Sequence, residues 1–279
     1  MAGQIRTIMR GGSRWYVDPE TAVKYPGVTS IISMLPKPFL THWAARMAAE
    51  TAVNSLSAVA TIAERDPEGA IDYVRHSHLR YTKIRARIGS DAHDLFERML
   101  RLEEIGRVHP DLEPYRLGFA EFLTAVRPEP VHLEDIAWSD THGYAGSFDA
   151  LLRVWLDEDG KPTPDRSGTP HLLMVDWKTS KSTYPDVALQ LAAYARADRI
   201  VFPDGTSEPM PEIDGAAVLH ITPEQWAFKP VRIDEEVFGV FLTLRRVFEW
   251  DRTISKTVIG RAIAKSVRRL VTGTERRAG

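Results

Sequence analysis

The sequence predicts an α/β protein with a mainly helical N-terminal half. Three observations predict it. Apolar residues recur at helical spacing from Leu40 to about residue 126. Alternation and short buried runs replace that spacing from Val131 to Lys178. Helical spacing then interleaves with short strands as far as Trp250. The 279 residues are 43% hydrophobic and 27% charged, with a net charge of −2. This balance excludes disorder as the default state and a uniformly basic surface. Cysteine is absent, which excludes disulfides, thiolate zinc sites, iron–sulfur clusters and cysteine nucleophiles together. A cytoplasmic setting is compatible with that lack. Residues 1–16 carry Arg6, Arg10 and Arg14 with no apolar run, so no secretory signal is read there. No apolar stretch reaches the roughly eighteen residues of a membrane span.

Taken in order, Arg14-Trp15-Tyr16-Val17 is strand-like, and residues 14–33 read as a short extended region with a turn at Pro26-Gly27. An alanine-rich helix is expected from Leu40 to about Glu64, with Trp43, Met47 and Ala48 on one face. Asp66-Pro67-Glu68-Gly69 breaks it, and a second helix runs from Ala70 to Leu102, with a possible interruption at Gly89. A third covers about 112–126, between prolines. Val131 to Trp138 then alternates as a strand, Ser139 to Gly143 forms a turn, and Tyr144 to Leu156 is a second strand. After a polar loop over 157–170, His171 to Lys178 is a third strand with a buried run, Leu172 to Val175. Pro185 opens a helix to about Ile200. Short strands follow near Ala216–Ile221 and Ala227–Ile233, then helices near Glu235–Trp250 and Ser255–Leu270. A single domain is expected over 1–279: a helical part to 126, a sheet part over 127–250, and a basic helix or tail over 251–279.

Charged residues inside the apolar strands are the candidates for chemistry. Asp176 and Lys178 are two apart on the third strand, so they project to one face. A core strand avoids unpaired charge because burying it is costly. Either the two form a structural ion pair, or the acid binds a metal and the ammonium faces a reacting anion. Asp149 is likewise a lone acid between Phe148 and Ala150-Leu151-Leu152. One loop joins the second and third strands, so an antiparallel pairing would set Asp149 beside Asp176. Such carboxylates repel unless a divalent cation or a shared proton intervenes, and oxygen ligands suit Mg²⁺ or Mn²⁺. His93 lies on the second helix with Glu97 one turn later. Read alone, it is a surface or satisfied core histidine. Gln190 and Tyr194 share a helix face that points back to the end of the third strand. Glu134 reads as a solvent-facing strand residue.

The order of these residues resembles the RecB-like branch of the PD-(D/E)XK nuclease superfamily. The matching positions are Gly89 and His93, Gly146 and Asp149, Asp176-Trp177-Lys178-Thr179, and Gln190 with Tyr194. Their separations fit as well. Tyr25-Pro26-Gly27-Val28-Thr29-Ser30-Ile31, followed by Trp43-Ala44-Ala45, looks like the N-terminal region of phage-encoded exonucleases of that branch. The resemblance covers about residues 25–250. It implies a restriction-endonuclease-like core, with a central mixed β-sheet flanked by helices, and a metal-dependent DNA exonuclease acting in recombination or repair. It also implies that His93, Asp149, Asp176 and the Trp177 backbone carbonyl hold Mg²⁺ or Mn²⁺. Asp149, Asp176 and Lys178 would be catalytic, and Gln190 and Tyr194 would contact DNA or position the lysine. The four cysteines of the iron–sulfur relatives are missing, so that cluster is excluded. No phosphate-binding Gly-x-x-x-x-Gly-Lys loop is present. DNA is the expected partner, with a single-strand-annealing or recombination protein as companion, no membrane, and the host cytoplasm as compartment if the chain is phage-encoded. The oligomeric state is not legible. A nuclease-fold protein that holds DNA without cutting, or an endonuclease, are the alternative readings.

Charge is unevenly spread. Residues 252–279 hold eight basic side chains against Glu275, a net of +7, which leaves −9 for the remainder. Arg261, Lys265, Arg268 and Arg269 either solubilise a tail or track DNA phosphates.

Overall fold

A computed structural model describes residues 5–264. The chain opens with an antiparallel meander, β1 (Arg6–Arg10), β2 (Ser13–Val17) and β3 (Lys24–Pro26). Helices α1 (Val28–Ile32), α2 (Phe39–Asn54), α3 (Leu56–Ala63), α4 (Pro67–Arg75), α5 (Ser77–Leu100) and α6 (Glu113–Val126) follow. The second half runs β4 (Glu129–Leu133), β5 (Ile136–Ser139), β6 (Tyr144–Ser147), β7 (Ala150–Leu156), β8 (Thr169–Lys178) and α7 (Asp186–Ala195). It then continues with β9 (Arg199–Val201), β10 (Ser207–Pro209), β11 (Gly215–Ile221), β12 (Trp226–Val231) and α8 (Glu235–Arg252).

The main sheet has the order β12-β11-β8-β7-β4 and is mixed, because β8 and β11 run parallel while every other pair is antiparallel. Alternation along its strands supplies two apolar faces. Leu151, Met174, Ala216 and Val218 pack with α1, α7 and α8. Leu152, Val175, Trp177, Ala217 and Leu219 face the other way and pack with α5 and α6. A smaller antiparallel sheet, β10-β9-β5-β6, stands beside it. The molecule is thus mixed α/β, with a five-stranded sheet between helices. Among the described residues no helix is long and apolar enough to cross a membrane.

Several elements differ from expectation for local reasons. Val28 to Ile32 is a short helix, not extended chain, and its buried face packs on α7 and α8. The alanine-rich segment divides at Ser55 into α2 and α3, neither of which buries a side chain. The next helix starts at Pro67, not Ala70, because Asp66 caps it by accepting from the Gly69 N–H and proline suits the first helical position. A boundary at His76 separates α4 from α5, and α5 continues through Gly89 without a break.

The expected strand Val131–Trp138 is two strands. Glu134, in the left-handed region at φ 57°, turns the chain from the main sheet into the small one. Tyr144–Leu156 is also divided, at Phe148-Asp149, where the chain returns to the main sheet. The helix from Pro185 ends at Ala195, so Ile200 lies in β9, and β1, β9 and β10 had no counterpart in the sequence reading. The expected helix Ser255–Leu270 is not formed as far as residue 264, where only a single turn, Ile254–Lys256, is helical. Its remainder, with Lys265, Arg268 and Arg269, lies outside the described residues.

Candidate metal and active centre

The two kinks, at Glu134-Asp135 and Phe148-Asp149, hydrogen-bond to each other. The Glu134 N–H donates to the Asp149 carbonyl and the Phe148 N–H to the Asp135 carbonyl, each at 3.1 Å. Asp135 is itself held by His132 at 3.2 Å. Beyond this crossing, β7 pairs with β8 from Ala150 opposite Val175. Continuing that register sets Asp149 opposite Asp176, the adjacency expected from the single loop between the strands. The Trp177 N–H closes the arrangement by donating to Asp149 Oδ2 at 2.6 Å.

Around this pair the side chains converge. His93 Nδ1, from α5, is 3.5 Å from Asp149 Oδ1. His93, Glu134 and Asp149 each offer a ligand atom, and these atoms all lie within 4.8 Å of one another. Asp176 is not one of these three and is buried. Its Oδ1 accepts from Gln190 Nε2 at 2.8 Å, and its Oδ2 meets the Lys178 ammonium. That second oxygen is buried and makes no well-directed hydrogen bond. Lys178 is partly open, on the same strand face as Asp176. The Trp177 side chain points to the opposite face, edge-on to Phe119 at 5.5 Å.

Electrostatics divide the acids. Burial alone would push Asp149 up, but the hydrogen bond and charge of His93, with Lys178 and the Trp177 N–H, outweigh it and hold the carboxyl below its usual range. Burial and then the charge of Asp149 drive Asp176 the other way, against the pull of Lys178. Burial lowers His93, yet its bond to Asp149 raises it overall. Glu134 is pushed up to about 7, first by burial and then by Asp149. Glu134 is therefore not the solvent-facing strand residue expected. It is half-buried at a left-handed turn, a third acid crowding the same space. The signal available for it was an acidic pair, Glu134-Asp135, interrupting two apolar strands.

His93, Glu134 and Asp149 together offer one nitrogen and two carboxylate donors, ligand types that Mg²⁺ and Mn²⁺ accept. If that is their use, Glu134→Gln lowers Mn²⁺ affinity in calorimetry, by roughly tenfold or more for a lost charged ligand. The same change raises the Tm of the metal-free protein near pH 8, because it relieves repulsion with Asp149. A lower metal-free Tm with unchanged Mn²⁺ affinity would assign Glu134 to the fold alone.

The helix α7 explains Gly146 and Tyr194. A Cβ at Gly146 would lie 2.8 Å from Tyr194 Cε1 and 3.0 Å from Val28 Cγ2. Glycine thus lets α1 and α7 close on β6, which gives the Pro26-Gly27-Val28 segment its place. Tyr194 is buried, with its hydroxyl 3.4 Å from Gln190 Nε2. Gln190, partly buried, links this hydroxyl to Asp176 Oδ1 and so braces the acid from α7. Gly146→Ala is expected to cost about 1–3 kcal/mol by overpacking, read as a lower urea midpoint. Arg261 is exposed.

No protein-family model and no curated protein matches the chain.

Proposed function

We propose that this protein is a divalent-metal-dependent deoxyribonuclease of PD-(D/E)XK type, of the RecB-like branch, working as an exonuclease in recombination or repair. The observation that carries the reading is the register of β7 and β8, which brings Asp149 and Asp176 face to face with Lys178 beside them and His93 and Glu134 above. The mixed sheet between two helical layers agrees with it.

In this reading His93, Glu134, Asp149 and Asp176 hold Mg²⁺ or Mn²⁺, with the Trp177 carbonyl as a further donor. When bound, the ion lowers the pKa of a water and offsets charge on the scissile phosphate. The chain's own residues do the rest. His93 keeps Asp149 ionised. Gln190, backed by Tyr194, fixes the orientation of Asp176. Lys178 presents a positive charge where negative charge grows on the phosphoryl oxygens, a preorganised stabilisation.

The test is digestion of end-labelled single-stranded and duplex DNA beside a covalently closed circle, with Mg²⁺ and with Mn²⁺. Loss of the linear DNA with the circle intact is expected. Cleavage of the circle would make the protein an endonuclease, and binding without any cleavage would leave a DNA-holding protein of this fold.

A further inference from the structure

A groove of about 920 Å³ opens beside the centre, between α2, the first half of α5 and the loop from β8 to α7. Its wall includes Thr179, Ser180 and Lys181, the residues directly after Lys178. Gly89, one turn before His93 on α5, comes close to this wall, since a Cβ there would lie 3.3 Å from Thr179 Oγ1. The groove thus adjoins the elements that carry the candidate centre, the end of β8 and the helix α5.

The lining is aromatic where a solvent-facing surface would ordinarily be polar. Phe39 and Tyr184 are exposed, with ring centroids 6.0 Å apart and planes within 12° of parallel. Trp43 and Tyr81 meet at 6.1 Å, and the Arg85 guanidinium lies 5.6 Å from the Tyr81 ring. The β8–α7 loop is pinned, with its Ser180 carbonyl 2.6 Å from Nε2 of buried His220. The lining carries Arg85 and Lys181 against Glu224, a net positive charge of one.

We propose that this groove binds single-stranded DNA by stacking unpaired bases on Phe39, Trp43, Tyr81 and Tyr184, and delivers the strand to the centre. Aromatic faces are useful only to bases that are not paired in a duplex, and Arg85 and Lys181 are placed to meet the backbone. Delivery to the centre rests on the nuclease reading; the binding does not.

The experiment is fluorescence anisotropy in EDTA, where nothing is cleaved, with three labelled probes: a twelve-nucleotide oligothymidylate, an abasic strand of the same length, and a duplex of the same length. The oligothymidylate is expected to bind tightest. Phe39→Ala with Tyr184→Ala should weaken it by roughly fivefold or more per ring while leaving the abasic strand and the duplex nearly unchanged. Tyr184→Trp should retain binding, which guards against a merely misfolded variant. Equal affinity for oligothymidylate and abasic strand in the parent protein, or an equal loss on all three probes in the variant, would overturn the proposal. Ring-dependent binding in a protein that cuts nothing would remove the nuclease reading and keep the groove. Cleavage without ring dependence would do the reverse.

Discussion

Asp149→Asn is expected to reduce metal-dependent DNA cleavage by at least about a hundredfold while DNA binding in EDTA persists. The carboxylate at this position meets His93 and accepts from the Trp177 N–H, while the backbone carbonyl of Asp149 accepts from the Glu134 N–H and the register sets the residue opposite Asp176. An amide keeps the shape but removes the charge that would bind a cation and the charge that favours protonated His93. Losing a charged ligand costs several kcal/mol of transition-state stabilisation, and each step of about 1.4 kcal/mol is tenfold in rate. The measurement is single-turnover cleavage with saturating Mn²⁺, with the fold checked by circular dichroism. Near-parental cleavage by a folded Asp149→Asn protein would remove the centre from this site. Asp176→Asn should behave similarly, with a stability change as well, because its partners Gln190 and Lys178 are arranged around a charge.

Lys178→Met is the second large effect expected. Methionine preserves the apolar stem and deletes the ammonium. Turnover should fall by about a hundredfold or more, as when one preorganised electrostatic donor is removed. Mn²⁺ affinity at pH 8 should stay the same or rise, because a competing positive charge beside Asp176 has gone. Calorimetric titration beside the cleavage assay separates the two roles. If the variant loses Mn²⁺ binding, or unfolds, Lys178 serves to neutralise buried Asp176 and not to assist chemistry.

The parts of this arrangement that were legible in the sequence share a physical origin. β8 was readable because a run of four apolar residues cannot be surface, so Asp176 and Lys178 at its end had to be exceptions with a reason. The meeting of Asp149 with Asp176 followed from one connecting loop. Glu134 was not readable, because its position depends on a left-handed backbone at a residue that is neither glycine nor asparagine. Only the surrounding bonds between the two kinks hold it there. Trp43 was read as part of an apolar helix face, yet α2 buries no side chain and the tryptophan lines the groove instead. Helical spacing reports which residues share a face, not whether anything covers that face. Helix ends in the alanine-rich segment were missed for a related reason, since alanine favours helix everywhere and marks no boundary.

The paired kinks also govern where this chain can change its length. Glu134-Asp135 and Phe148-Asp149 are tied by two backbone hydrogen bonds, and each joins a strand of the main sheet to a strand of the small one. One residue gained or lost within β4–β5 or β6–β7 would shift a period-two pattern, exchange the side chains of the two packed faces and carry Glu134 and Asp149 away from His93 in the same step. The loop over 157–168 is different. It leaves β7 and re-enters β8 at the far end of the same pair, with Leu156 opposite Thr169, many residues from the acids. Insertions there lengthen a solvent loop and leave the register at Ala150 and Val175 untouched. Length variation in descendants of this sequence is therefore channelled to one end of the sheet, and the other end is confined to point substitution.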